Sequence, residues 1–511
     1  MMHPGLRTPR PASLALLALL AGPTLAQNLS VDRIGGAIGA LTTFPLVGQP
    51  NEPYALVFDI VEQPTSLPHL GVTLDITDQF AWFTFNTPTW AGLTSGTGGA
   101  TIQLNVPNEP RVAGLVLSLQ AIAGQGPFRV SNLLRLTLQQ SRTFAPALEQ
   151  PPVPILGGGA ASAPNNELLF VGGSGPVAQR YKSRTEQWEL AGATFGVGLL
   201  SQTTGLADGR VLFTGGIDLT TGQPTTAAAV YDPVTQTTTT LTMNAPRAGH
   251  GASLLPNGRV LITGGSATVD LTNPLSLFTG LQASTEIFDP VTNTFAPGPN
   301  MLEARAFHTS TTLTTGRVLI AGGLALIPIL NIPNVSNTAY LFNPATNSFG
   351  LPSFFTGARF LHSAAPLSNG RVLLVGGLTL DLSGFLQTGN IQDIIIDTRT
   401  DCQMFTPSPL GFGTFATVNG MQVGRAGAAV APLANGAAVI AGGFRLTIDI
   451  PTSTFAFEAT ETADVFTQSP NAIAPTGSMA APRLFPTMVN LPDGTVMIVG
   501  GGPTAAEIYQ P

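Results

Sequence analysis

Along the second part of the chain, runs of apolar residues that close on a Gly-Gly pair recur seven times, ending at Gly173, Gly216, Gly265, Gly323, Gly377, Gly443 and Gly501. Four copies open with Gly-Arg-Val-Leu, at Gly209, Gly258, Gly316 and Gly370. Each run is short and apolar at successive positions, the signature of a strand buried on both faces. The paired glycines let the backbone turn where a side chain would clash. A second apolar segment follows each pair and carries an aromatic in register: Tyr181, Tyr231, Phe288, Phe342, Phe405, Phe466 and Tyr509. A further column of Trp188, Phe295, Phe349 and Phe412 stands seven residues on, broken by Thr238 and Ile473. Before the Gly-Gly run lies one more strand, introduced in four copies by Met-x3-Arg at Met243, Met301, Met421 and Met479. Four strands per unit predicts a stack of four-stranded sheets, the blades of a β-propeller, with the aromatics filling the wedges between neighbours.

The two ends of this region fit together. The last unit stops at Pro511, two residues after Tyr509, and so lacks a fourth strand. Upstream of the first unit, Arg142-Thr143-Phe144-Ala145-Pro146 matches the fourth-strand sequence Asn293-Thr294-Phe295-Ala296-Pro297. The early segment is therefore expected to complete the last blade and close a ring of seven blades, with six as the alternative.

Residues 27 to 140 lack the repeat but hold strand-like runs at Tyr54 to Val61, Gly71 to Thr77, Phe80 to Phe85, Thr101 to Asn105, Ala113 to Leu119 and Leu133 to Leu138. Their spacing, with Pro and Gly between them, predicts a small antiparallel β-sandwich ahead of the propeller at 141 to 511. Residues 1 to 26 read as a secretory signal: Arg7 and Arg10, an apolar stretch from Leu14 to Ala21, then Thr24-Leu25-Ala26 before Gln27. The apolar stretch is well short of the ~20 residues of a membrane helix, so no transmembrane segment is expected. The expected location is extracellular or periplasmic.

Charged residues make up only 10% of the chain, and losing Arg7 and Arg10 would leave 19 basic against 28 acidic residues. With Lys182 its one lysine, such a chain does not suit nucleic acid, whose phosphates call for clustered cations. A single cysteine, Cys402, rules out an intramolecular disulfide framework, so a large core must supply the stability.

The pattern resembles the kelch family: a first strand, a second ending in Gly-Gly, an aromatic in the third and Trp or Phe in the fourth. The resemblance implies an all-β, kelch-type β-propeller over about residues 141 to 511, similar to the central domain of galactose oxidase. Kelch propellers host adhesion, scaffolding, sugar isomerisation and copper-radical oxidation, so the resemblance leaves the activity open. The copper-radical class requires a Cys–Tyr thioether, a second Tyr and histidine ligands, one from a domain after the propeller; here the chain ends inside the last blade. Cys402 also stands where the other units carry Ala178, Ala228, Thr285, Ala339, Ala463 and Ala506, a slot for small packing residues. No metal or other cofactor is expected.

The candidate ligand-binding residues are Arg247 with His250, Arg305 with His308, and Arg359 with His362, each pair three positions apart in successive units. Placed at a channel mouth, they would suit an anionic ligand or a metal. Repetition favours a structural role, because Arg425 and Arg483 fill the same slot without histidine. Asp393, Asp397 and Asp401, four residues apart, lack the donor density of a calcium loop. Between the closing glycine and the third-strand aromatic lie 7, 14, 22, 18, 27, 22 and 7 residues in successive units. Several of these connections are apolar: Leu275, Leu277 and Phe278; Leu324 to Ile332; Phe385 and Leu386; Phe455 and Phe457. They either form a recognition surface or bury against one another. The first expectation is a secreted, non-catalytic binding, adhesion or scaffold protein that contacts a glycan or protein through these loops. The alternatives are a carbohydrate-active enzyme such as a kelch-fold sugar mutarotase, and a structural element of an extracellular or envelope assembly.

Overall fold

The computed structural model describes residues 29–77, 89–155, 159–163, 167–171, 177–193, 199–218, 220–269, 276–327, 332–390, 393–449, 454–502 and 506–511. The signal segment, the Phe80 to Phe85 run and the first Gly-Gly pair lie outside these residues. The described chain is almost entirely β, with short helical turns such as Ser276–Thr279 and Ser383–Thr388, and no helix long and apolar enough to cross a membrane.

Seven sheets repeat one antiparallel pattern. In the third, Gly251–Leu254 pairs with Val260–Thr263, which pairs with Thr285–Asp289, which pairs with Thr294–Pro297. Second strands such as Val260–Thr263, Val318–Ala321 and Val372–Val375 are buried at every residue, as their largely apolar sequences require. The first strands lie side by side in chain order, from Gly159–Ala163 through Gln202–Gly205, Gly251–Leu254, Thr309–Thr312, Ser363–Pro366 and Ala429–Pro432 to Thr487–Asn490. That last strand also neighbours Gly159–Ala163, so the series returns on itself. The arrangement is propeller-like.

The last sheet takes its fourth strand from early in the chain: Thr143–Pro146 pairs with Ala506–Gln510, with Phe144 opposite Tyr509. Arg142 and Asn293, which begin the two matching sequences, both adopt left-handed backbone, at φ 60° and 55°. The third- and fourth-strand aromatics meet across each pair, as in Tyr181–Trp188 and Phe288–Phe295. One expected member is corrected. Phe405 pairs with Phe415, not Phe412, because the turn from Ser408 to Phe412 carries three more residues than its counterparts.

The residues before this region form two sheets that share one core. Ser30–Val31, Leu41–Val47 and Gly99–Asn105 make the first; Leu134–Thr137, Val116–Ala123, Pro53–Asp59 and Ala91–Leu93 make the second. Phe44 and Leu46 from the first meet Leu56, Leu119 and Leu136 from the second. The strand Leu41–Val47 was not among those expected, because Pro45 interrupts it. Its alternation of buried Thr42, Phe44 and Leu46 nevertheless follows the period of two. The Gly71 to Thr77 run contributes only Val72–Leu74, paired with Thr65–Leu67.

This part docks on one side of the repeated sheets. Arg33 lies buried between Asp493 (2.6 Å) and Glu186 (2.8 Å), in the turns after the first strand of the last sheet and the third strand of the first. Burial lowers the Arg33 pKa, but the two carboxylates outweigh it and the net shift is upward. Arg184 bonds Asp32, and the Arg135 side chain reaches the Thr185 carbonyl. These turns emerge on the face opposite the long connections between second and third strands.

Candidate functional site

The arginines of the repeat are buried and bonded inside the protein, although Nε of Arg305, Arg425 and Arg483 has no hydrogen-bond partner. Each guanidinium donates to the carbonyl of the first glycine of the pair in its own sheet, always seventeen residues on: Arg247 to Gly264 (2.6 Å), Arg305 to Gly322 (3.0 Å), Arg359 to Gly376 (3.0 Å), Arg425 to Gly442 (3.4 Å) and Arg483 to Gly500 (3.0 Å). The backbone carbonyl of the same arginine accepts from the second glycine of the preceding sheet, as Gly265 N–H to Arg305 (2.9 Å) and Gly323 N–H to Arg359 (2.9 Å). One residue thus fastens two neighbouring sheets. At the seam between last and first sheets the slot holds Ile155, whose carbonyl accepts from Gly501 (3.3 Å). Only glycine fits the pair: Gly264 and Gly265 have φ +59° and +96°, and a side chain on Gly264 would strike the Arg305 carbonyl.

Each of these arginines also has a carboxylate: Glu286 for Arg247, Glu303 for Arg305, Asp401 for Arg359, Asp464 for Arg425 and Glu507 for Arg483, at 2.6 to 3.0 Å. Glu286, Asp464 and Glu507 stand two residues before the third-strand aromatic. Where Tyr340 and Gln403 take that place, Glu303 and Asp401 supply the charge from nearby and bond those substitutes as well. Sequence reading missed these partners, although the acid two before the aromatic is a visible signal. Burial depresses the pKa of Arg247, Arg305 and Arg359, and the paired carboxylates oppose it.

The histidines sit beside these arginines, also buried. Nε2 of His250 meets the Thr214 hydroxyl (2.8 Å), that of His308 meets Thr263 (2.8 Å) and that of His362 meets Thr309 (3.0 Å). Burial, with the nearby arginine charge second, pushes His250 and His362 down to about 3 and His308 well below its ordinary value. All three are neutral at physiological pH. The three Arg–His pairs therefore lie between sheets, with none of their side chains on the surface.

A different set of residues runs beside these seams as an inner collar of backbone hydrogen bonds. Two positions beyond the arginine slot, Leu200, Gly249, Phe307, Leu361, Gly427 and Phe485 all adopt left-handed backbone, with φ from 46° to 62°. Four of them donate N–H to the carbonyl of the same position one sheet earlier: Gly249 to Leu200 (3.1 Å), Phe307 to Gly249 (2.7 Å), Leu361 to Phe307 (3.0 Å) and Gly427 to Leu361 (2.9 Å). The Phe307 and Phe485 rings pack where Gly249 and Gly427 lack side chains. This collar is apolar, and a left-handed backbone costs a bulky residue on the order of 1–2 kcal/mol.

Above the collar the long connections have strands of their own. Leu324–Ile327 and Ile332–Val335 pair with each other and with Arg305–Ala306. Leu378–Asp381, Ile395–Thr398, Phe444–Asp449 and Thr454–Ala459 form one four-stranded sheet built from the connections of the fifth and sixth repeats. Its lower face, with Leu378, Leu380, Ile396, Phe444 and Leu446, joins Phe278, Leu324, Val335 and Phe360 in a single apolar cluster. Much of the apolar character of these loops is thereby spent on mutual burial. Leu275 lies outside the described residues.

Among the described residues the copper-oxidase donor set is not assembled. Cys402 is buried among Leu373, Val375, Met404 and Met421, a cluster with no tyrosine, and burial pushes its thiol up to about 12. Among the described residues no group of three His, Cys, Asp or Glu is arranged to hold a metal. Asp393, Asp397 and Asp401 disperse: Asp401 bonds Arg359 and Arg399, while Asp397 accepts from Thr447.

No family model matches the chain, and no curated protein matches it. Among solved structures the chain is similar to one described as a novel fungal alcohol oxidase with catalytic diversity among the AA5 family, in complex with copper. The TM-score is 0.35 and the identity 16%, over 62% of this chain and 75% of that one.

Proposed function

We propose that the chain is an exported, seven-bladed kelch-type propeller with an N-terminal β-sandwich, and that it acts as a non-catalytic binding module for a protein or glycan. The seven like sheets, the cyclic neighbourhood of their first strands and the strand shared between 143–146 and 506–510 support the architecture. The observation that carries the function is the apolar collar. Sugar and acyl chemistry need a positioned acid or base. The positions beside the seams carry apolar Leu200, Phe307, Leu361 and Phe485 instead, while Arg247, His250, Arg305, His308, Arg359 and His362 are buried between blades. Recognition then falls to the layer built by the connections of blades three to six, a rigid surface on the face turned away from the sandwich.

The test replaces the connections at 378–398 and 444–459 by short turns in the mature protein. Glycan arrays and a screen of extracellular proteins are then run on both forms. Ligands of the unaltered protein should be lost from the replaced form. Unchanged binding would reject this face, and turnover of any sugar would reject the non-catalytic reading.

A further inference from the structure

We propose, resting on that reading, that the open edge of Thr454–Ala459 receives an extended polypeptide strand from a partner protein, with its apolar side chains packed toward Phe457 and Phe485. The shared sheet advances from the fifth blade to the sixth and stops at this strand. Among the described residues it pairs with Phe444–Asp449 alone. The next connection, in the seventh blade, has only 7 residues between Gly501 and Tyr509, too few to add another hairpin.

The hydrogen-bonding direction of this edge follows from its neighbour. Leu446 spends both its N–H and its carbonyl on the Thr398 hydroxyl, on the side of Ile395–Thr398 (2.7 Å each). Phe457 stands directly opposite Leu446, so its N–H and carbonyl point the other way, out of the sheet. Ala459, two residues on, repeats that orientation. The strand has no lysine, proline or bulge of the kind that guards an edge.

The side chains supply the rest of the site. Phe457 is 48% exposed and Phe485 40% exposed, and both pack against the buried Phe444, at ring distances of 5.4 and 5.2 Å. Together they make an apolar notch beneath the edge. On the upper face of the edge strand stands exposed Glu458, opposite Arg445 on the neighbouring strand, with exposed Asp397 one strand and Asp381 two strands further from the edge. A strand alternating apolar residues below with basic residues above complements both faces, and backbone pairing gives affinity while the notch selects side chains.

The probe is an acetylated ten-residue peptide alternating Val and Lys, with an alternating Val–Glu peptide as control, titrated against the full mature chain. The Val–Lys peptide should bind more tightly than the control. Phe457→Lys should weaken it at least tenfold, and Phe485→Ala by a smaller factor. Hydrogen exchange adds a readout of backbone: the amides of Phe457 and Ala459 should exchange faster than those of Ala456 and Glu458 in the free protein, and slow on adding peptide. Peptide binding that survives Phe457→Lys, or without that alternation in exchange, overturns the strand-addition site while leaving the loop face as a binding surface. Self-association abolished by Phe457→Lys makes the occupant a second copy and overturns the partner assignment. Loss of glycan binding on loop replacement, with no peptide binding, overturns this proposal alone.

Discussion

Phe144 and Tyr509 pack with ring centroids 4.9 Å apart, joining the segment before the first repeated sheet to the last strand of the chain. Two sequence-distant ends thus share one sheet, and no repeated sheet is left short of its fourth strand. A similar economy recurs at five seams, where one arginine ties a glycine carbonyl in its own sheet to a glycine N–H in the sheet before.

Removing Arg359 leaves the Gly376 and Asp401 carbonyls without that donor, while the part-exposed Asp401 carboxylate keeps Arg399. Arg359→Ala is therefore expected to destabilise the protein by about 1–3 kcal/mol. Arg359→Lys should recover only part of this, because one ammonium cannot reach Gly376, Asp401 and the Asp401 carbonyl in the planar fork that Arg359 uses. Urea unfolding followed by fluorescence measures both. A loss below about 1 kcal/mol for the alanine variant would show that the seam does not depend on the guanidinium.

The buried histidines set an acid limit on stability. In the unfolded chain a histidine takes up its proton near pH 6.5, whereas folded His250 and His362 do so only near 3. Between those values the unfolded state binds more protons, so stability falls as pH drops from about 6.5 toward 3. Each histidine contributes a slope of up to about 1.4 kcal/mol per pH unit once the unfolded form is protonated. The double variant His250→Gln with His362→Gln should flatten the dependence measured between pH 6.5 and 4.5. An unaltered slope would mean that these side chains titrate as freely when folded as when unfolded.

Much of the repeat was legible because it rests on periodic sequence. The Gly-Gly pairs, the third-strand aromatics and the match of 142–146 to 293–297 each state a local conformation directly. The misplacement of Phe412 for Phe415 arose from a fixed spacing applied across a turn three residues longer. The collar was illegible for a different reason. Among the described residues its left-handed slot is glycine at Gly249 and Gly427 and is filled elsewhere by Leu200, Phe307, Leu361 and Phe485, so no residue type marks it. The sheet above the collar was hidden as well, since Ile395–Thr398 and Phe444–Asp449 belong to different repeats and neither sequence names the other. The arginines and histidines stood out in the sequence because they recur, and they recur because every seam needs fastening.

The contact between the N-terminal part and the repeated sheets centres on Arg33, buried against Asp493 and Glu186. Arg33→Ala leaves two buried carboxylates facing a gap and should cost about 3–5 kcal/mol. Limited proteolysis should then cut the chain between the two parts at protease levels that spare the unaltered protein. Equal resistance would place the strength of the contact elsewhere, at Arg135 and Arg184.

The ring closure itself is tested most directly by a disulfide between Ala145→Cys and Ile508→Cys, which stand opposite each other on the closing pair of strands. The native Cys402 is buried and leaves the background clean. Mild oxidation of the folded protein should give one linked peptide joining the two new cysteines, with thermal stability raised. Two free thiols after oxidation, or a link to any other position, would contradict the closed ring.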